Sequence, residues 1–203
     1  MFDLGALSLG YSAINALVAA YGYYAIFFLM LLEAASFPVP SEIVLPAVGY
    51  FAAMGTLNLE LGFAAALLGS VAGMIIDYYI AYILDKEVVY KHLHFFHIKK
   101  ETLLAFDSWF AKNGAFAVFV SRLLPLVRAL INFPAGFAQM PMKKFLFYSI
   151  AGTLIWNVLL VAFGYYALSI DNAYEISALI GAFAVVLYLV YSLAMKKIRR
   201  KAA

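Results

Sequence analysis

The chain has 203 residues, 67% hydrophobic and 12% charged, with no cysteine and a mean hydropathy of +0.94. Soluble domains are about half apolar, so this composition reads as an integral membrane protein, and without cysteine it excludes disulfides, thiolate chemistry and cysteine metal sites. Net charge is +3, but the charges are unevenly spread: Asp3, Glu33, Glu42, Glu60, Asp77 and Asp85 precede the first basic residue, Lys86, and all 14 Lys and Arg follow.

The opening MFDLGALSLGYSAINALVAAYG has no basic n-region, so no cleaved signal peptide is expected. A spanning helix needs roughly 20 apolar residues. Such stretches fall at 12–35, 59–84, 145–168 and 175–195. Two further apolar stretches, 37–57 and 114–140, are interrupted by proline and glycine and carry charge inside them. Short loops rich in Lys and Arg lie in the cytoplasm. That rule puts the 85–112 linker, Lys143–Lys144 and the KKIRRK tail of 196–203 on the cytoplasmic side. Residues 114–140 then start and finish on one face, so they must enter and return as a re-entrant hairpin. Counting backwards, 37–57 does the same from the outer face. The expected fold is one all-α membrane domain with about four transmembrane helices and two oppositely oriented re-entrant hairpins, divided into halves at 12–84 and 114–195.

The two broken stretches resemble each other. LPAVGYFAAM (45–54) matches FPAGFAQM (133–140), and each is followed by a span carrying a glycine and then a polar residue, Gly73 with Asp77 and Gly152 with Asn157. Inverted repeats with broken helices are a transporter plan, with the site near the midplane. Open backbone at that depth is tolerated where it is buried in protein or lines a cavity. The elbow FPVPSE supplies such backbone through Pro38 and Pro40, with Ser41 as a polar neighbour.

Glu33, Glu42, Asp77, Arg122 and Arg128 all fall inside apolar sequence. Five unpaired charges at that depth would cost on the order of 10 kcal/mol, so they must pair or face water. Ion pairs that merely hold the hairpins together are the plainer reading, but apolar packing would do that at lower cost. The sharper reading is a polar cavity with proton- or cation-responsive acids and an anion-binding arginine pair. Arg122 and Arg128 flank Pro125 in SRLLPLVR (121–128), and two guanidiniums on one elbow suit a phosphate. Asp77 ends a ladder of small residues, Ala65, Gly69 and Gly73, which makes one helix face smooth enough for close backbone approach. His92, His94 and His97 of KHLHFFHIKK have no acid or cysteine beside them, and read as an interfacial basic segment rather than a metal site.

At these residues the chain resembles the DedA family, also called the SNARE-associated or VTT-domain family, over roughly 20–170. The marks are E-x(4)-P-x-P-S-E from Glu33 to Glu42, G-x(3)-D at Gly73 and Asp77, and F-V-S-R-x(2)-P-x(2)-R from Phe119 to Arg128, followed by P-A-G from Pro134 to Gly136. Where many members have glycine before the second glutamate, this chain has Ser41. The resemblance implies two opposed re-entrant hairpins and translocation of a lipid phosphate, undecaprenyl phosphate in bacterial members and phospholipid in eukaryotic scramblases. It also implies that Glu33, Glu42 and Asp77 are the essential acids and Arg122 and Arg128 the essential arginines.

The expectation is therefore a multi-pass protein of the cell membrane, with a cytoplasmic C-terminus, that flips a polyprenyl phosphate. Arg122 and Arg128 bind the phosphate; Glu33, Glu42 and Asp77 bind the coupling proton or monovalent cation; Asn157 and Ser41 support them. No cofactor, metal or nucleic acid is expected, and homo-oligomerisation is left open. A proton-coupled cation antiporter and a scramblase are the alternatives. An intramembrane hydrolase is disfavoured, because no G-x-S-x-G exists and all three histidines sit in the linker.

Overall fold

The computed structural model describes residues 16–84, 110–124 and 128–167, together with Ala13 and Ser108. Every regular element among them is helical. Residues 16–21 and 110–113 are helical, and the helices with both ends defined are α1 (Tyr23–Ala34), α2 (Ser41–Ala53), α3 (Leu59–Ile83), α4 (Ala115–Arg122), α5 (Asn132–Phe137) and α6 (Met142–Ala167). Only α3 and α6, with 25 and 26 residues, are long and apolar enough to cross a bilayer among the described residues. At 1.5 Å per residue α1, with its 12 residues, reaches only about 18 Å. The expected span 175–195, the tail 196–203, the histidines and nearly all of the linker lie outside the described residues.

The chain forms two compact units: Met1–Gly73 with Asn157–Leu179, and Met74–Trp156 with Ile180–Ala203. In the first unit α1 and α2 pack against each other. Gly22, at φ 53°, starts α1. Ser36, at φ 62°, ends it, with the Phe37 N–H reaching back to the Leu32 carbonyl at 3.0 Å and closing a Schellman-type cap. This cap moves the turn earlier than the sequence reading had it. The chain reverses at 35–40, between α1 and α2, and 41–53 is one unbroken helix rather than an entry and a return. Pro46 removes one helix hydrogen bond, but its backbone lies against α6, where a Cβ on Gly164 would come within 1.9 Å of the Pro46 carbonyl oxygen. Asn58 caps α3, its Oδ1 accepting the Leu61 N–H at 3.0 Å, while its own N–H donates to the Tyr23 hydroxyl at 2.8 Å.

The second unit repeats these local devices. Gly114, at φ 52°, starts α4 as Gly22 starts α1. Gln139, at φ 49°, closes α5 through the Met140 N–H to the Ala135 carbonyl at 3.0 Å. The glycine faces of the long helices match as well. A Cβ on Gly73 would meet the Leu31 carbonyl and the Ala34 Cβ of α1; one on Gly152 would meet the Phe119 carbonyl and the Arg122 Cβ of α4. In both units a carbonyl and a Cβ three residues further on touch the same glycine. The repeat also carries a sequence signature, SVAG at 70–73 and SIAG at 149–152. That register aligns Asp77 with Trp156 and Tyr78 with Asn157, one residue away from the Asp77–Asn157 pairing expected from the sequence.

Candidate functional site

In the second unit the polar residues converge where α3, α4, α5 and α6 meet. Asp77, Arg122 and Arg128 are 2%, 3% and 8% exposed, and Asn132 and Ser149 are fully buried. Arg122 stands in the last turn of α4. Its Nη1 donates to the Arg128 backbone carbonyl at 2.7 Å, and its Nη2 donates to Asn132 Oδ1 at 2.6 Å and to Ser149 Oγ at 2.9 Å. Asn132, the first residue of α5, donates from Nδ2 to Asp77 Oδ2 at 3.4 Å. The guanidinium carbon of Arg128 lies 5.2 Å from the centroid of the Trp156 ring, a cation–π contact. Tyr78 donates its hydroxyl to the Met140 carbonyl at 2.5 Å and packs on Phe145, with ring centroids 4.9 Å apart.

The structure therefore joins three sequence-selected residues, Asp77, Arg122 and Arg128, in one hydrogen-bonded unit through two that the sequence reading did not select, Asn132 and Ser149. Their signal was present as single polar residues in apolar runs, and for Ser149 also as the SxAG repeat. Pro134 and Gly136 are buried in α5, and a Cβ on Gly136 would lie 2.4 Å from the Tyr78 carbonyl, so glycine there lets α5 seat on α3. Pro125 lies outside the described residues.

The other selected residues belong to the first unit. Glu33 is 9% exposed in the last turn of α1, where the negative end of the helix dipole opposes a carboxylate. Glu42 differs: it is exposed, in the first turn of α2, where the dipole favours an acid and supplies a structural reason for it. Pro38 and Pro40 form the elbow, with Pro40 immediately before α2 and Ser41 fully buried as its first residue. An open groove of about 610 Å³ also lies in this unit, lined by Phe63, Val158, Tyr165 and Tyr166 with Glu60 as its one acid.

Asn157 is fully buried on α6, and neither amide atom meets a hydrogen-bond partner among the described residues. An unsatisfied buried amide costs about 1–3 kcal/mol. Asn157→Leu is accordingly expected to raise the melting midpoint of the detergent-solubilised protein by about 2–4 °C. A fall would show that the amide is satisfied in the folded chain.

Among the described residues no group of three His, Cys, Asp or Glu could hold a metal ion.

The VTT domain family matches residues 39–166. The chain is 36% identical over 155 residues to undecaprenyl phosphate transporter A of Staphylococcus aureus, covering 74% of this chain and 76% of that one. It is 35% identical over 149 residues to an alkaline phosphatase-like protein of Lactococcus lactis, covering 71% and 70%. It is 27% identical over 158 residues to protein DedA of Escherichia coli, covering 74% and 72%. No solved structure matches. With the family match spanning more than half of its residues, the chain belongs to the VTT-domain, or DedA, family of membrane proteins.

Proposed function

We propose that the protein is a transporter that moves a phosphate-headed polyprenyl carrier lipid, of the undecaprenyl phosphate type, across the cell membrane, with movement coupled to protons or monovalent cations. The observation that carries this reading is the buried guanidinium of Arg128, set over Trp156 in the unit that also buries Asp77. Arg122 and Arg128 are both buried in this unit, and arginine stays charged where lysine could lose its proton, so the unit keeps positive charge that suits an anionic head group. The names of relatives in Staphylococcus aureus and Bacillus subtilis support the choice of lipid.

In this reading the hairpins 23–53 and 114–140 enter the bilayer without crossing it. The hydrocarbon tail stays in lipid while the head passes through the protein. Arg128 grips the phosphate through charge-assisted hydrogen bonds. Glu33 binds the coupling ion in the first unit, and Asp77 binds it in the second, where it competes with the phosphate for positive charge. The protein performs no covalent chemistry on the head group.

Reconstitution tests the proposal. Vesicles containing labelled undecaprenyl phosphate in one leaflet are expected to lose leaflet asymmetry faster with the protein than without it, and faster still under a pH gradient. Equal acceleration of ordinary phospholipids would make the protein a scramblase. Cation exchange with no lipid movement would make it an antiporter.

A further inference from the structure

The open groove of the first unit takes no part in the transport reading. It is built from two helices. Glu60 and Phe63 stand near the start of α3, and Val158, Ala162, Tyr165 and Tyr166 stand in the C-terminal half of α6. Val158, Ala162 and Tyr165 follow the i, i+4, i+7 spacing of one helix face. Ala162 is the smallest side chain of this row, and it leaves room between its larger neighbours. The volume, about 610 Å³, lies within the range of about 300–1,000 Å³ that small-molecule sites occupy.

Charge selects the occupant. Glu60 is exposed in the first turn of α3, where the helix dipole favours an acid. No Lys, Arg or His lines the groove among the described residues. The described residues of the first unit, 16–73 and 157–167, carry Glu33, Glu42 and Glu60 and no base at all. Three aromatic rings share the groove with the carboxylate: Phe63, Tyr165 and Tyr166. The two tyrosine rings have centroids 5.6 Å apart and planes at 82°, so the pair presents faces in two directions. Ring faces attract positive charge, and organic cations are held in this way. Leu59 begins α3 and Ala167 ends α6, so the groove lies at the ends of two membrane-long helices, the level at which amphipathic groups sit.

We propose that this groove binds a lipophilic organic cation of small-molecule size, a quaternary ammonium or phosphonium. Glu60 answers the charge, and Phe63, Tyr165 and Tyr166 hold the apolar body. A zwitterionic phospholipid fits less well, because its phosphate would meet no base in the lining. All the residues involved belong to the first unit, and the proposal does not rest on the transport reading above.

Two ions of the same size and shape but opposite charge make the claim measurable: tetraphenylphosphonium and tetraphenylborate. The full-length protein in non-ionic detergent micelles is titrated with each in separate calorimetric experiments, corrected against empty micelles. Tetraphenylphosphonium is expected to bind saturably at a single site, and tetraphenylborate is expected to give no saturable heat. Glu60→Gln is expected to weaken tetraphenylphosphonium binding about tenfold, or about 1.4 kcal/mol. Ala162→Phe, which fills the groove, is expected to abolish it.

Equal binding of the two ions would show a groove that takes any hydrophobe, and would overturn the proposal. So would parent affinity in Glu60→Gln, or the absence of saturable phosphonium binding to the unsubstituted chain. Loss of phosphonium binding when phosphatidylethanolamine, but not phosphatidylglycerol, is added to the micelles would assign the groove to a lipid amine instead of a free cation. Should Ala162→Phe fail to fold, Glu60→Gln decides alone, because the exposed carboxylate can be replaced without disturbing the packing of α3.

Discussion

Arg128→Gln protein is expected to insert into the membrane but, on the transport reading proposed above, to move undecaprenyl phosphate at least about 100-fold more slowly than the unsubstituted chain. The magnitude follows from losing two charge-assisted hydrogen bonds, each worth about 1.5–3 kcal/mol. Arg128→Lys is expected to retain more activity, with a loss of about tenfold, because the charge stays while the planar two-pronged grip is lost. The check is the initial rate of leaflet exchange in vesicles matched for inserted protein. A glutamine protein working at the normal rate would remove Arg128 from the mechanism, because a carboxamide cannot stand in for the positive charge that the reading requires.

The second large effect concerns folding. Gly164→Ala should lower the melting midpoint by about 6–12 °C, equivalent to about 3 kcal/mol at the scale of a chain this long. A single methyl group there would lie 1.9 Å from the Pro46 carbonyl oxygen and 2.6 Å from the Pro46 Cα. Backbone cannot swing aside as a flexible side chain can, so α2 and α6 would have to separate. The same contact exists from the other side: a Cβ on Gly49 would sit 2.0 Å from the Val161 carbonyl oxygen. Close approach through small residues is how apolar helices hold together where lipid offers no hydrophobic drive. As a control, Gly55→Ala should cost far less: φ 72° strains it modestly, but nothing lies within 4 Å of the new atom. Thermal melting followed by tryptophan fluorescence distinguishes the two.

The membrane class, the two long helices and the broken stretch at 114–140 were legible because apolar run length and proline–glycine punctuation act locally. The ends of α1 were harder. The run from 12 into 35 reads as one span by hydropathy, since Gly22 and Ser36 leave no mark on the apolar pattern, yet their backbone angles set the ends of α1. Pro46 is one of the prolines that interrupt 37–57 in the sequence, yet tertiary contact with Gly164 accommodates it inside a helix. At the candidate site, the charged residues stood out because charge in apolar sequence is costly. Asn132 and Ser149 did not, because a neutral side chain becomes informative only once its partners are known, and those partners lie 10 and 27 residues away from them at Arg122. Glu33 and Glu42 looked equivalent in sequence, and the structure separates them by burial and by the opposite ends of the helix dipoles they occupy.

The central claim is that the protein recognises the phosphate and not the hydrocarbon. The most direct measurement compares two lipids with identical tails, undecaprenyl phosphate and undecaprenol, in the same protein-containing vesicles. Protein-dependent leaflet exchange is expected for the phosphate alone, with the alcohol remaining at its protein-free rate. Equal acceleration of both lipids would contradict the account.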